Sequence, residues 1–122
     1  MESVANQQKS LKAMLADKKD HRNVLLLYGR DDAQHYLIEQ QEALIEVKDD
    51  LAKLDLAGIV IVASELQEPD RQFLMHDYKL IPSDEFSGWL IGKDGEVKQT
   101  YQKPTTSEEL FNHLNRRAAP RD

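Results

Sequence analysis

A chain of 122 residues, 40% hydrophobic and 31% charged, has the length and composition of one ordinary globular domain. Its net charge of −6 argues against broad binding to a nucleic-acid backbone, which needs clustered Lys and Arg. The sequence holds no cysteine, which excludes disulfides, thiolate catalysis and cysteine metal sites, so the domain is neither a thiol–disulfide oxidoreductase nor a cysteine peroxidase.

Residues 3–19 read as an amphipathic helix with Val4, Leu11, Met14 and Leu15 on one side. Residues 1–20 are therefore assigned as an N-terminal helix or arm, with self-association through this helix as one possible use. Residues 21–116 form the domain proper and 117–122 a flexible tail. Arg116, Arg117 and Arg121 read as a solvated helix end. The longest apolar runs, 24–28 and 58–63, have strand length and are too short to span a membrane. The polar opening carries no secretory signal; that implies a cytoplasmic protein as the chain stands, or a periplasmic or secreted one if a signal was removed.

Val24-Leu25-Leu26-Leu27-Tyr28 has the continuous apolar character of a strand buried on both faces. Gly29-Arg30-Asp31-Asp32 breaks it, and Asp31 or Asp32 is expected to cap the helix that follows. That helix is predicted to reach about Leu54, with Leu37, Leu44, Val47, Leu51 and Leu54 at helical spacing, Ile38 and Ile45 widening the stripe, and Gly58 as its stop. Ile59-Val60-Ile61-Val62-Ala63 is a second apolar strand. Strand, helix, strand implies a parallel pair with a right-handed crossover.

A further helix is predicted from near Pro69, turning Phe73, Leu74 and Tyr78 inward. Pro82 reads as a stiffener of the loop beyond it. Phe86–Ile91 and residues 96–101 read as strands joined by Gly92-Lys93-Asp94-Gly95, whose Asp-Gly pair supplies hairpin-turn chemistry. Trp89 and Leu90 alternate across the first of these strands. One of them must leave the main core, and an exposed Trp89 would mark a partner contact. Thr106-Ser107-Glu108-Glu109 has capping-box spacing, opening a last helix with Leu110, Phe111 and Leu114 inward.

The predicted fold is thus α/β and thioredoxin-like: βαβ followed by αββα, a four-stranded mixed sheet with helices on both faces, plus the extra N-terminal helix. The expected spatial order is 59–63, 24–28, 86–91, 96–101, with the last two strands antiparallel.

The run Phe86-Ser87-Gly88-Trp89-Leu90-Ile91-Gly92-Lys93-Asp94-Gly95-Glu96-Val97-Lys98 resembles the signature of a bacterial family of domains of unknown function, the prokaryotic DUDES-type domain. Arg22-Asn23-Val24-Leu25-Leu26-Leu27 is similar to that family's first strand, and Ser107-Glu108-Glu109-Leu110-Phe111 extends the likeness, which covers about residues 11 to 115. The resemblance implies a thioredoxin-like, generally cysteine-free domain, related to domains of secreted animal matrix proteins, whose bacterial members often carry export signals. Two features depart from it. The ending 115–122 lacks the family's methionine-rich basic character, and the leading helix is more polar.

In a thioredoxin-like layout the redox dithiol follows the first central strand. Residues 29–35 occupy that place here, offering Arg30, Asp31, Asp32 and His35 as candidate ligand-binding residues. A helix N-terminus beside the carboxyl end of a parallel strand suits an anion, and Arg30 adds to that, whereas Asp31 and Asp32 oppose it. Asp31, Asp32 and His35 could alternatively offer two oxygens and a nitrogen to a metal, but at no specific metal-binding spacing, so no metal or other cofactor is assigned. His21, His76 and His113 read as solvated. No catalytic residue is assigned. The expectation is a redox-inactive binding module for an unknown protein or small ligand; the alternatives are an enzyme or metal-binding protein using the 29–35 loop, and a self-assembling structural protein.

Overall fold

The computed structural model describes residues 2–3, 10–106, 108–110 and 112–113, the side chains at 2, 3 and 51 excepted. Val4, Phe111, Leu114 and the 117–122 tail, and the Leu51 side chain, lie outside the described residues.

Four strands form the body of the sheet: β2 (Asn23–Gly29), β3 (Leu56–Val62), β4 (Phe86–Ile91) and β5 (Val97–Tyr101). β2 pairs parallel with β3, from Asn23 against Leu56 to Gly29 against Val62, and antiparallel with β4, from Val24 against Ile91 to Gly29 against Phe86. β5 closes the far edge antiparallel to β4, with a register shift at Leu90 and Ile91. The order β3-β2-β4-β5 is the one the sequence implies, a mixed sheet consistent with a thioredoxin-like α/β fold.

At the other edge, β1 (Glu2–Ser3) adds a short parallel strand against Ile59 and Val60 of β3. Ser3 is thus strand, which corrects the expected start of the leading helix. That helix, α1 (Leu11–Lys18), begins where the Ser10 side chain accepts from the Ala13 N–H. Its Leu11 and Met14 are buried in the core.

Alternation of side chains along β2 builds two cores. Val24, Leu26 and Tyr28 point to the face covered by α1 and α4 (Asp70–Asp77), where they meet Leu11, Ile59, Ile61 and Leu74. Leu25 and Leu27 point to the other face, beneath α2 (Gln34–Ile45) and the helical residues 108–110, with Leu37, Leu44, Phe86 and Leu110. Burial on both faces explains the uninterrupted apolar run of β2. Trp89 and Leu90 divide between the two cores, and Trp89 is only 4% exposed. Its indole N–H donates to the Tyr78 carbonyl at 3.1 Å, so Trp89 is a core residue and the partner-contact reading is corrected.

The long helix predicted to Leu54 is two helices. α2 ends at Ile45 and α3 (Lys48–Lys53) follows. Gly58 lies inside β3 rather than at a helix stop; the chain turns instead at Asp55, whose φ is +53°. The hairpin between β4 and β5 follows its sequence signal. Gly95 has φ +84°, and the Gly92 N–H donates to the Glu96 carbonyl at 2.9 Å. The Glu109 N–H donates to Thr106 Oγ1 at 3.1 Å, as the capping-box spacing predicts.

Candidate functional site

Parallel pairing of β2 and β3 brings the loops that follow them to the same end of the sheet. After β2, Asp31–Ala33 forms a 3-10 turn leading into α2; after β3, Ala63–Glu65 forms another. Neither Asp31 nor Asp32 caps α2. The helix starts at Gln34, and its N-cap residue Ala33 provides no side-chain cap, which corrects the capping expectation. The intervening 3-10 turn carries both carboxylates too early along the chain to reach the helix N–H groups.

Asp31 reaches across instead. Its Oδ1 accepts from the Ser64 N–H at 2.9 Å, joining the two loops. Hydrogen bonding from the Ser64 side chain and backbone holds the Asp31 carboxyl below the usual carboxylate range, outweighing its slight desolvation. Asp32 is the ion-pair partner of Arg30 Nη2. The Arg30 Nη1 donates to the Ser83 carbonyl at 3.0 Å, and its backbone N–H to the Glu85 carbonyl at 3.1 Å, which ties the loop before β4 to the same cluster. His35 is exposed and lies against Tyr36, ring centroids 4.2 Å apart.

Arg30, Asp31 and Asp32 therefore share the loop and its 3-10 turn, His35 lies in the first turn of α2, and the four serve separate partners. Asp31 faces the β3 loop, Arg30 and Asp32 face each other, and His35 faces Tyr36. Among the described residues, no group of three His, Cys, Asp or Glu side chains is placed to hold a metal ion.

Beside this loop, on the α4 face, lies a cavity of about 190 Å³ lined by Tyr28, Ala63, Leu66, Arg71, Leu80 and Pro82. Its floor is Tyr28, whose hydroxyl donates to the Pro82 carbonyl at 3.0 Å. Burial raises the Tyr28 phenol above its ordinary value, while the nearby Arg71 and Arg30 guanidinium groups pull the other way. The phenol thus stays neutral near pH 7 and presents a hydroxyl beside the Arg71 cation. Sequence reasoning placed the loop but missed Tyr28, Arg71 and Ser64. The available signal was the parallel βαβ unit itself, since it makes the loops after β2 and β3 neighbours.

This arrangement defines a cysteine-free α/β domain whose sheet end carries a braced loop cluster and a small polar-edged cavity. Residues 14–115 match the model of a family described as a domain of unknown function (DUF4174), and the chain belongs to that family. None of the curated proteins matches the sequence. No helix among the described residues is long and apolar enough to cross a membrane.

Proposed function

We propose that the chain is a redox-inactive thioredoxin-like binding module, its site the loop cluster after β2 and β3. The unit is residues 21–116, and the narrower likeness to DUDES-type domains, carried by 86–98, fits this reading. The observation that carries it is the cavity beside the 29–35 loop, small and flanked by one cation and one neutral phenol. Ligand sites in open α/β sheets favour the carboxyl ends of the strands, where this cavity lies.

The loops are tied by Asp31 to Ser64, Arg30 to Ser83 and Tyr28 to Pro82, so little ordering is left to oppose binding. Arg71 suits a carboxylate or similar acceptor group, and the chemistry on offer is recognition. No thiol is present to exchange.

Screening small carboxylic acids against isotopically labelled protein by amide NMR tests the reading. Saturable shifts are expected at Ser64, Leu66 and Arg71, and Arg71→Gln is expected to abolish them. A library that perturbs none of these amides, or an Arg71→Gln variant that binds equally well, would overturn it.

A further inference from the structure

The opposite end of the sheet carries a second, larger recess. Side chains on one face of β3 are only half buried, in contrast to the fully buried β2, because α2 lies over β2 and leaves β3 partly uncovered. Between α2, α3 and this face lies an open groove of about 430 Å³, within the range of roughly 300–1,000 Å³ common to small-molecule sites. Leu25, Leu44, Ile45 and Leu56 supply its apolar walls, and Arg22 and Lys48 contribute its only charges among the described residues. Ile45 is 66% exposed where it lines the groove, so its side chain is open to a ligand there.

The charge pattern is selective. The chain carries 22 Asp and Glu against 16 Lys and Arg, yet among the described residues no carboxylate lines the groove. Neither cation forms a salt bridge among the described residues, although Arg22 lies near enough to the Asp55 carboxylate to help hold it below its ordinary value, after Lys93. Arg22 donates from Nη2 to the Leu56 carbonyl at 3.2 Å, which steadies its guanidinium at the groove while leaving other N–H donors available.

We infer that this groove binds a single-chain anionic amphiphile of the medium-chain carboxylate class. The hydrocarbon tail lies along Ile45, Leu56 and Ala52, over the edge of Leu44, and the head group meets Arg22 and Lys48. The groove is separate from the cavity at Tyr28 and Arg71, so the two readings stand or fall independently.

Methyl and amide NMR titration of the full chain with hexanoate and octanoate, below micellar concentrations, tests the inference. Saturable shifts are expected at Leu44 and Ile45. Octanoate is expected to bind about fourfold more tightly for each added methylene that is buried, from about 0.8 kcal/mol per methylene. Octylammonium, with the same tail and opposite charge, is expected to bind at least tenfold more weakly. The double variant Arg22→Gln, Lys48→Gln should weaken octanoate at least fivefold, and Ile45→Glu should abolish its binding. All three residues are exposed, and an unchanged amide spectrum elsewhere confirms the fold of each variant. Three results overturn the inference: no saturable shift at millimolar octanoate, equal binding of octylammonium, or octanoate binding unchanged in the double variant. A fourth does so too: groove shifts that follow protein concentration without ligand, because a second copy of the chain is then the occupant.

Discussion

The Gln40 side chain grips the backbone of Thr105 with both ends of its amide. Nε2 donates to the Thr105 carbonyl at 2.8 Å and Oε1 accepts from the Thr105 N–H at 2.7 Å. Gln40 is fully buried in α2, and Thr105 lies between β5 and the last helical turn. The pair therefore completes the backbone hydrogen bonding of a buried connection as a strand would.

Replacing Gln40 with Met keeps the volume roughly constant but strands both polar groups of Thr105. Each buried unsatisfied group costs about 1–3 kcal/mol, so a loss of roughly 2–6 kcal/mol is expected in urea unfolding. A Gln40→Met protein within about 0.5 kcal/mol of the parent would show that water replaces the amide.

Asp31 fastens the loop after β2 to the loop after β3, and hydrogen exchange at the Ser64 amide reads that bond directly. Asp31→Ala is expected to accelerate Ser64 exchange, whereas Asp31→Asn, which keeps an acceptor oxygen, retains most of the protection. The folded carboxyl is held below its ordinary value, so its contribution is present above the usual carboxylate range. It fades as pH falls through the folded value. The Ser64 protection that separates parent from Asp31→Ala should shrink in acid, and equal exchange in the two proteins at neutral pH would remove Asp31 from the brace.

Gly29 ends β2 where Leu37 of α2 presses on the backbone. A Cβ built at Gly29 would stand 2.8 Å from Leu37 Cγ and Cδ1, closer than real carbon contacts allow. Gly29→Ala is therefore expected to cost about 1–3 kcal/mol by overpacking. Leu37→Ala alone is expected to cost about 2–5 kcal/mol as a cavity. The double variant should lose clearly less than the sum, because each change relieves the other. Strict additivity in a double-mutant cycle would place the cost elsewhere.

The architecture was legible because β2 is apolar at every position and the hairpin carries Asp94-Gly95, two signals that depend only on local chemistry. What stayed hidden depends on distance along the chain. Asp31 looked like a helix cap, since nothing local shows that its carboxylate meets Ser64, 33 residues on. Gln40 reads as a surface residue until Thr105, 65 residues away, closes over it. Helix ends were obscured for another reason. The chain adopts left-handed backbone at Asp20, Asp55 and Lys79 just beyond α1, α3 and α4, where glycine is the usual signal. The grooved face of β3 was invisible because the Ile59–Val62 run reads as buried on both sides, while α2 leaves one face of β3 only half covered.

Lys79 follows α4 with φ +61° and an exposed side chain. A Cβ in that conformation costs about 1–2 kcal/mol, and glycine removes it while gaining unfolded-state entropy. Lys79→Gly is expected to stabilise the protein by about 0.5–1 kcal/mol. A thermal unfolding curve shifted downward would mean that the Lys79 side chain makes a stabilising contact larger than the relieved strain.

Tyr101 makes the alkaline limit of the fold readable. Burial, followed by the nearby Glu109 carboxylate, pushes its phenol up to about 12, despite the opposing influence of Thr105. Burial also raises Tyr28 and Tyr78. A folded pKa above the unfolded value means that the neutral phenol stabilises the fold fully at neutral pH. That contribution is lost as pH climbs from the ordinary tyrosine value near 10 through about 12. Tyrosinate absorbance followed against pH should show a late component that disappears in Tyr101→Phe, and the variant's stability should fall less steeply above the ordinary tyrosine range. The Tyr101 hydroxyl lies 2.7 Å from His113 Nδ1, so His113→Ala should leave this late titration while loosening the last helical turn. A Tyr101 that ionises together with free tyrosine, in a protein still folded, would show that the phenol is solvated at the end of β5.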